Sequence, residues 1–170
     1  MQMKRAKSVP FIDEVEIFND TFGKPNNYTP IIPNDKKLTN FVVDFIKEET
    51  DELAHAIEEK DIVEVLDAIC DLLYVAIGNA TMVFGLKNKI VPAYREVQAS
   101  NMSKSCATVE EAEETIALRS QQHGECYFRK VGNRYVVYRK ADDKVMKSIN
   151  YFAPNLEQFF TPEEIENAKQ

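Results

Sequence analysis

The sequence predicts a mainly α-helical protein: a helical bundle followed by a small α+β extension built on an antiparallel meander. Apolar residues recur at helical spacing in four successive segments up to about residue 100. Beyond Lys104 the pattern shortens to strand-like runs separated by Gly132-Asn133 and Asp142-Asp143, pairs suited to tight turns. These observations place the bundle over residues 1–104 and the extension over residues 105–170.

A first helix is expected over residues 10–22, with Ser8 near its cap and Gly23 as its stop. Phe11, Ile12, Val15, Phe18 and Phe22 recur along it at helical spacing. The stretch 24–35, rich in proline and asparagine, is long for a connection, so it either packs over a site or runs along the surface. A second helix follows over residues 36–58, with Leu38, Phe41, Val42, Phe45, Leu53 and Ala56 as its inward stripe. The third, over 62–84 and ended by Gly85, is apolar on nearly every side, which predicts burial in a bundle or an oligomer. A fourth spans 88–100, with Ile90, Val91, Tyr94 and Val97 on one side and Pro92 in or near its first turn. In the extension, Thr108 and Glu111 have capping-box spacing ahead of a short helix that His123 and Gly124 close. Strands are expected at 126–131, 134–139 and 144–149, and Thr161-Pro162-Glu163-Glu164 opens a last short helix.

The composition, 44% hydrophobic and 29% charged, suits a globular chain with one well-buried core. A net charge of -7 argues against a nucleic-acid backbone as partner. An acidic protein still binds a polyphosphate where metal ions mediate. The most apolar stretch contains Asp67 and Asp71 and the first ten residues are polar, so neither a membrane span nor a secretory signal is expected. Cys70, Cys106 and Cys126, odd in number and without metal-ligand spacing, fit reduced thiols in a cytoplasmic protein.

The informative residues are acids that point where a core should be. At about 100° per residue, Glu49 and Glu52 fall inside the apolar stripe of the second helix, and Glu48 falls at its margin. Asp44, Asp51 and Glu58 point to the solvated side. On the third helix Glu64, Asp67 and Asp71 share one narrow stripe bordered by Tyr74, and no Lys or Arg occurs along that helix. Glu64 also stands three residues after Asp61, the spacing of an N-terminal capping box. Asp67 and Asp71 lie too deep for that role. Helices joined by a short turn are usually antiparallel neighbours, so the two acidic stripes can face each other. Carboxylates converging in this way repel, and hard divalent cations with oxygen ligands, such as Mg²⁺, relieve the repulsion. Glu48, Glu49, Glu52, Glu64, Asp67 and Asp71 are therefore candidate metal ligands; a merely salt-bridged core is the competing reading.

Glu48-Glu49-x-x-Glu52 followed by Glu64-x-x-Asp67 resembles the E-E-x-x-E…E-x-x-D signature of the all-α nucleotide pyrophosphohydrolases. These include MazG proteins, dimeric dUTPases and phosphoribosyl-ATP pyrophosphohydrolase. The run from Asp67 to Val75 and the element Ser100-Asn101-Met102-Ser103-Lys104 look like the phosphoribosyl-ATP pyrophosphohydrolase-like branch, and the helical likeness covers residues 11–104. The meander looks like a tail found in some members of that branch. The resemblance implies a MazG-like bundle that hydrolyses a nucleoside triphosphate or related nucleotide between its α and β phosphates, giving a monophosphate and pyrophosphate. It implies Mg²⁺ as cofactor, with Mn²⁺ able to replace it. Glu49, Glu52 and the acids of the third helix would then be ligands, and Asp71 would be among the catalytic acids. Glu48 would be the base for an attacking water or a further ligand, and Lys104, Asn101 and Tyr74 would contact substrate. There is one departure. When Asp71-Leu72-Leu73-Tyr74 is set on the family's E-x-x-D-hydrophobic-hydrophobic-aromatic run, the expected Glu falls on Ala68. The last ligand pair is then either Glu64 with Asp67 or Asp67 with Asp71.

Two other classes compete. A non-catalytic nucleotide-sensing bundle would keep the acids and lose turnover, which the Ala68 departure allows. Glu52-x-x-His55 has di-iron spacing, but such proteins use two of these motifs and the other histidine, His123, lies in the tail. The apolar third helix predicts a homodimer or homotetramer, with a small nucleotide as the other partner.

Overall fold

The computed structural model describes residues 10–169. They divide into two compact units, one holding the residues up to Val91 together with those from Phe159 onward, the other Pro92–Gln158.

In the first unit, α1 (Pro10–Phe22) buries Ile12, Val15 and Asn19. Gly23, at a φ of 64°, follows its end; the expected cap Ser8 lies outside the described residues. α2 (Lys36–Glu59) is capped by Asp35, whose carboxylate accepts from the N–H groups of Lys37 and Leu38. It ends on Lys60 in the left-handed region. Asp61 then caps α3 (Ile62–Leu73), accepting from Val63 and Glu64. A connection this short makes neighbours of α2 and α3, which pack together.

The single helix expected over 62–84 is interrupted. A π-helical segment, Tyr74–Asn79, separates α3 from α4 (Ala80–Val83). Gly78 lies in this widened turn, and Val15 of α1 presses on it so closely that a Cβ there would sit 2.3 Å from the valine Cγ2. Of the α3 side chains only Ala68 is buried; Ile62, Leu66, Ile69 and Leu73, one face of the helix, are exposed within a single chain.

The long 24–35 loop is tied down rather than free. Asn27 N–H donates to the Met82 carbonyl and its side-chain amide to that of Val83, while Ile31 N–H reaches Phe84. Gly85, at a φ of 67°, lies directly under this loop, and a Cβ would stand 2.0 Å from the Thr29 carbonyl oxygen. Gly85→Ala therefore combines a left-handed penalty with a backbone clash, and we expect a loss of at least about 2 kcal/mol in urea unfolding. An unchanged midpoint would contradict this packing.

α5 (Lys87–Met102) begins a residue earlier than expected and carries Pro92 in its second turn, not its first. The missing N–H of Pro92 removes one helical bond at the point where the two units divide.

In the second unit, α6 (Val109–His123) packs on a two-stranded antiparallel sheet of β1 (Cys126–Val131) and β2 (Arg134–Arg139). The register runs from Cys126 opposite Arg139 to Val131 opposite Arg134, closed by Gly132-Asn133. Cys106, Ala112, Cys126, Val137 and Met146 form the core of this unit. The third strand expected at 144–149 shrinks to one bridge, between Val145 and Tyr138. The chain is drawn off the sheet after it: Ser148 donates its N–H to the Lys104 carbonyl and bonds the Glu111 carboxylate through its hydroxyl. Burial lifts the Glu111 carboxyl, but the bonds from Ser148 and the Ala107 N–H outweigh it and hold the group below its ordinary value. All three cysteines are free thiols. α7 (Pro162–Asn167), part of the first unit, opens on a complete capping box of Thr161 and Glu164. Lys89 of α5 ties it down by an ion pair to Glu164 at 2.9 Å. No helix among the described residues is long and apolar enough to cross a membrane.

Candidate active site

The buried residues of α2 are Val42, Glu49 and Ala56, spaced seven apart. This axis lies inside the stripe read from the sequence but is narrower than it. Phe41 is 46% exposed while Glu49 is 6% exposed, so a carboxylate sits deeper than a phenyl ring. Glu52, expected inside the stripe, lies about 60° round the helix from Glu49 and is exposed, as is Glu48.

The acids of α2 and α3 then line two cavities of the first unit. Glu48, Glu52, Glu64 and Asp67 line a trough of about 970 Å³. Glu49 and Asp71 line a smaller one of about 360 Å³, together with Phe18, Phe45, Tyr74 and Asn79. The sets belong to one electrostatic cluster. Burial raises the Glu49 carboxyl above the ordinary carboxylate range, and the charges of Asp71, Glu52, Glu48 and Asp67 raise it further. Glu64 lines the trough and not the Glu49 cavity. Its capping role is also half empty: Asp61 accepts from the Glu64 N–H, but the Asp61 N–H is already bonded to the Ala56 carbonyl. The Glu64 carboxylate is left to the trough.

None of these acids takes part in an ion pair among the described residues. Lys47, on the rim of the trough, is paired with Asp44. Most telling, Glu49 Oε2 is buried with no hydrogen-bond partner. A buried carboxylate oxygen without a donor is costly, and the charges that act on it are those of further carboxylates; Lys24 lines the same cavity but forms no ion pair with it. Among the described residues no three such side chains already surround a common point. The donor set and the orphaned oxygen nevertheless fit a hard divalent cation.

Tyr74 opens the π segment and meets Phe18 edge-on at 5.8 Å, so its ring both packs and lines the smaller cavity. Burial, then the charge of Glu14, raises its phenol above the ordinary value. Asn101 and Lys104 belong to the second unit, where the lysine ammonium donates to the asparagine side chain at 2.8 Å.

A family profile described as phosphoribosyl-ATP pyrophosphohydrolase matches residues 15–101, just over half of the chain. The chain belongs to this family. The matched segment of this phosphoribosyl-ATP pyrophosphohydrolase family member takes in every acid of the cluster and Asn101, and stops short of Lys104. A curated relative, an uncharacterised protein of Acanthamoeba polyphaga mimivirus, is 40% identical over 72 residues, a stretch covering 41% of this chain and 28% of that protein. The departure at Ala68 has a structural setting: this is the buried residue of α3 and lines the trough, so a glutamate there would add a buried carboxylate to it.

Several lining residues escaped the sequence reading, chiefly Asn19, Lys24 and Asn79. The signal for Asn19 was present. It continues the Ile12, Val15 stripe of α1 at four-residue spacing, an amide inside an apolar face, as Glu49 is an acid inside one.

Proposed function

We propose that this protein hydrolyses a nucleoside triphosphate, or a related nucleotide, between its α and β phosphates with the help of a divalent cation, giving a monophosphate and pyrophosphate. The buried Glu49 carboxylate carries this reading: one oxygen is unpartnered, its proton affinity is raised, and it forms no ion pair among the described residues, Lys24 of the same cavity included. Family membership adds to it. Glu49, Asp71, Asp67 and Glu52 would hold Mg²⁺, or Mn²⁺ in its place, with Glu64 beside Glu52 and Asp67 in the trough. The cation, when bound, offsets the carboxylate charge and the charge that develops on the phosphates in an in-line displacement. Glu48, exposed at the edge of the cluster, takes the proton of the attacking water. Tyr74 and Phe45 wall the smaller cavity and limit how substrate enters it. Asn101 and Lys104 have no step assigned to them in this scheme. The reduced thiols fit a cytoplasmic setting.

The test is a pyrophosphate-release assay over a panel of nucleotides, phosphoribosyl-ATP included, with Mg²⁺, with Mn²⁺ and with chelator. Release that needs the cation supports the proposal; no release from any nucleotide sinks it. The Ala68 departure favours one second reading, a bundle that binds nucleotides without turning them over. That reading predicts calorimetric binding with no pyrophosphate.

We also propose a homodimer or homotetramer, with the exposed face of Ile62, Leu66, Ile69 and Leu73 covered by another copy. Light scattering should give at least twice the chain mass for the wild type, and a smaller mass for Leu66→Glu, which places a charge in the covered face. A monomeric wild type at micromolar concentration would contradict this.

A further inference from the structure

Asn19 is 1% exposed, lies on the buried side of α1, and lines a cavity of about 540 Å³ with Phe22, Lys24, Phe41, Val42 and Asn79. Lys24, Phe41 and Asn79 also line the cavity that holds Glu49 and Asp71, so the two recesses share a wall. A ligand whose phosphates meet the acids therefore has an aromatic, largely apolar recess beside it.

The orientation of the Asn19 carboxamide follows from its neighbours. The Asn26 amide nitrogen donates to the Glu16 carbonyl at 3.2 Å and to the Asp20 carboxylate at 2.7 Å. Both partners are pure acceptors, so Asn26 must turn its nitrogen to them and its oxygen away. The Asn19 amide nitrogen donates to that oxygen at 2.9 Å. This leaves Asn19 Oδ1 as the free end, and it is buried with no hydrogen-bond partner. The chain thus holds one acceptor of fixed orientation, on a residue lining a recess that Phe22 and Phe41 share with Lys24, Lys37 and Asp35, without supplying a donor for it.

We propose that Asn19 is a specificity-determining residue that accepts a hydrogen bond from an N–H group on the edge of the substrate's nucleobase. This rests on the nucleotide-hydrolysing reading above. Flat apolar walls suit a base, whose faces stack on aromatic rings, and a polar edge must then meet whatever groups lie at the end of the recess. Asn79, half-buried, offers a donor and an acceptor for a neighbouring position on that edge. Asn26 is a positioning residue, because its bonds decide which end of Asn19 faces the ligand.

The test compares the best nucleotide of the panel with its counterpart alkylated at the N–H in question: N3-methyl for uracil or thymine, N1-methyl for guanine, N,N-dimethyl at the exocyclic amine for cytosine or adenine. Wild-type kcat/KM should fall by at least about 100-fold on alkylation, towards the roughly 10⁴-fold by which a site built to bond an N–H rejects an analogue lacking it. In Asn19→Ala the parent and alkylated nucleotides should come close to parity. Asn26→Leu, which leaves Asn19 in place but free to turn over, should narrow the gap without closing it. Circular dichroism checks that both variants fold, and if Asn19→Ala does not, the wild-type ratio and Asn26→Leu decide. A wild-type ratio near one, or the same gap in both variants, overturns the inference while leaving nucleotide hydrolysis standing. So does finding that removal of the ribose hydroxyls, not alkylation of the base, produces the Asn19-dependent loss. If no nucleotide is hydrolysed, the proposed function falls by itself, and calorimetric binding of parent and alkylated nucleoside monophosphates then reads the recess: equal binding, or none, overturns the inference too.

Discussion

Glu49→Gln should lower kcat for pyrophosphate release by about 10³-fold, the scale of several kcal/mol of lost charge stabilisation, while helical content is kept. The substitution preserves shape and removes one charge from the most buried position of the cluster. Metal-free, the same variant should be at least as stable as the wild type, since glutamine ends the repulsion from Asp71, Glu52, Glu48 and Asp67. The sign of the pH dependence follows. The folded-state pKa of Glu49 lies above its unfolded value, so the protonated form is favoured by folding. Its contribution to stability is full below the ordinary carboxylate pKa and is lost as pH rises through the raised one. Urea unfolding of the chelated wild type should therefore show stability falling across that interval, and Glu49→Gln should flatten the fall. Glu52→Gln should also lose most activity and, because its charge too raises Glu49, should move the metal-free stability fall to lower pH, by less than Asp71→Asn does. Near-normal turnover in Glu49→Gln would remove this carboxylate from the chemistry.

Asp71→Asn and Glu64→Gln should behave differently, which decides between the two registers of α3. Asp71 lines the Glu49 cavity and is the first of the charges acting on Glu49, whereas Glu64 lines only the trough. Asp71→Asn should cost about 10²- to 10³-fold in kcat/KM. It should also move the metal-free stability fall to lower pH, because a neighbouring negative charge no longer raises Glu49. Glu64→Gln should retain turnover within about tenfold. Its stability should change by less than about 1 kcal/mol, because Asp61 supplies the cap. The reverse result, a dead Glu64→Gln beside an active Asp71→Asn, would establish Glu64 with Asp67 as the working pair.

The stop of α1, the start and stop of α2 and the Gly132-Asn133 hairpin were legible in the sequence because each is decided within a few residues. Asp35 caps α2 with its own side chain, Gly23 ends α1, and the turn pair needs only its own backbone. The two acidic stripes were legible for the same reason, since helical spacing alone puts Glu48, Glu49 and Glu52 on one side of α2 and Glu64, Asp67 and Asp71 on one side of α3. That information sufficed to name the family resemblance and the chemistry it implies.

Which acid would be buried was a tertiary matter. Periodicity defines a stripe tens of degrees wide, and only the packing of α2 chose the Val42, Glu49, Ala56 axis, turning Glu52 outward. The π segment answers to Val15 pressing on Gly78 from another helix, and the lost third strand to Ser148 being captured by Glu111 and Lys104. The Asn19 acceptor is the furthest from sequence. It depends on a relay through Asn26 to Glu16 and Asp20, formed only when the loop after α1 folds back on that helix. Local rules state what each residue can do on its own element; burial and unmet hydrogen bonds exist only between elements, and they are what turned two acidic stripes into a site.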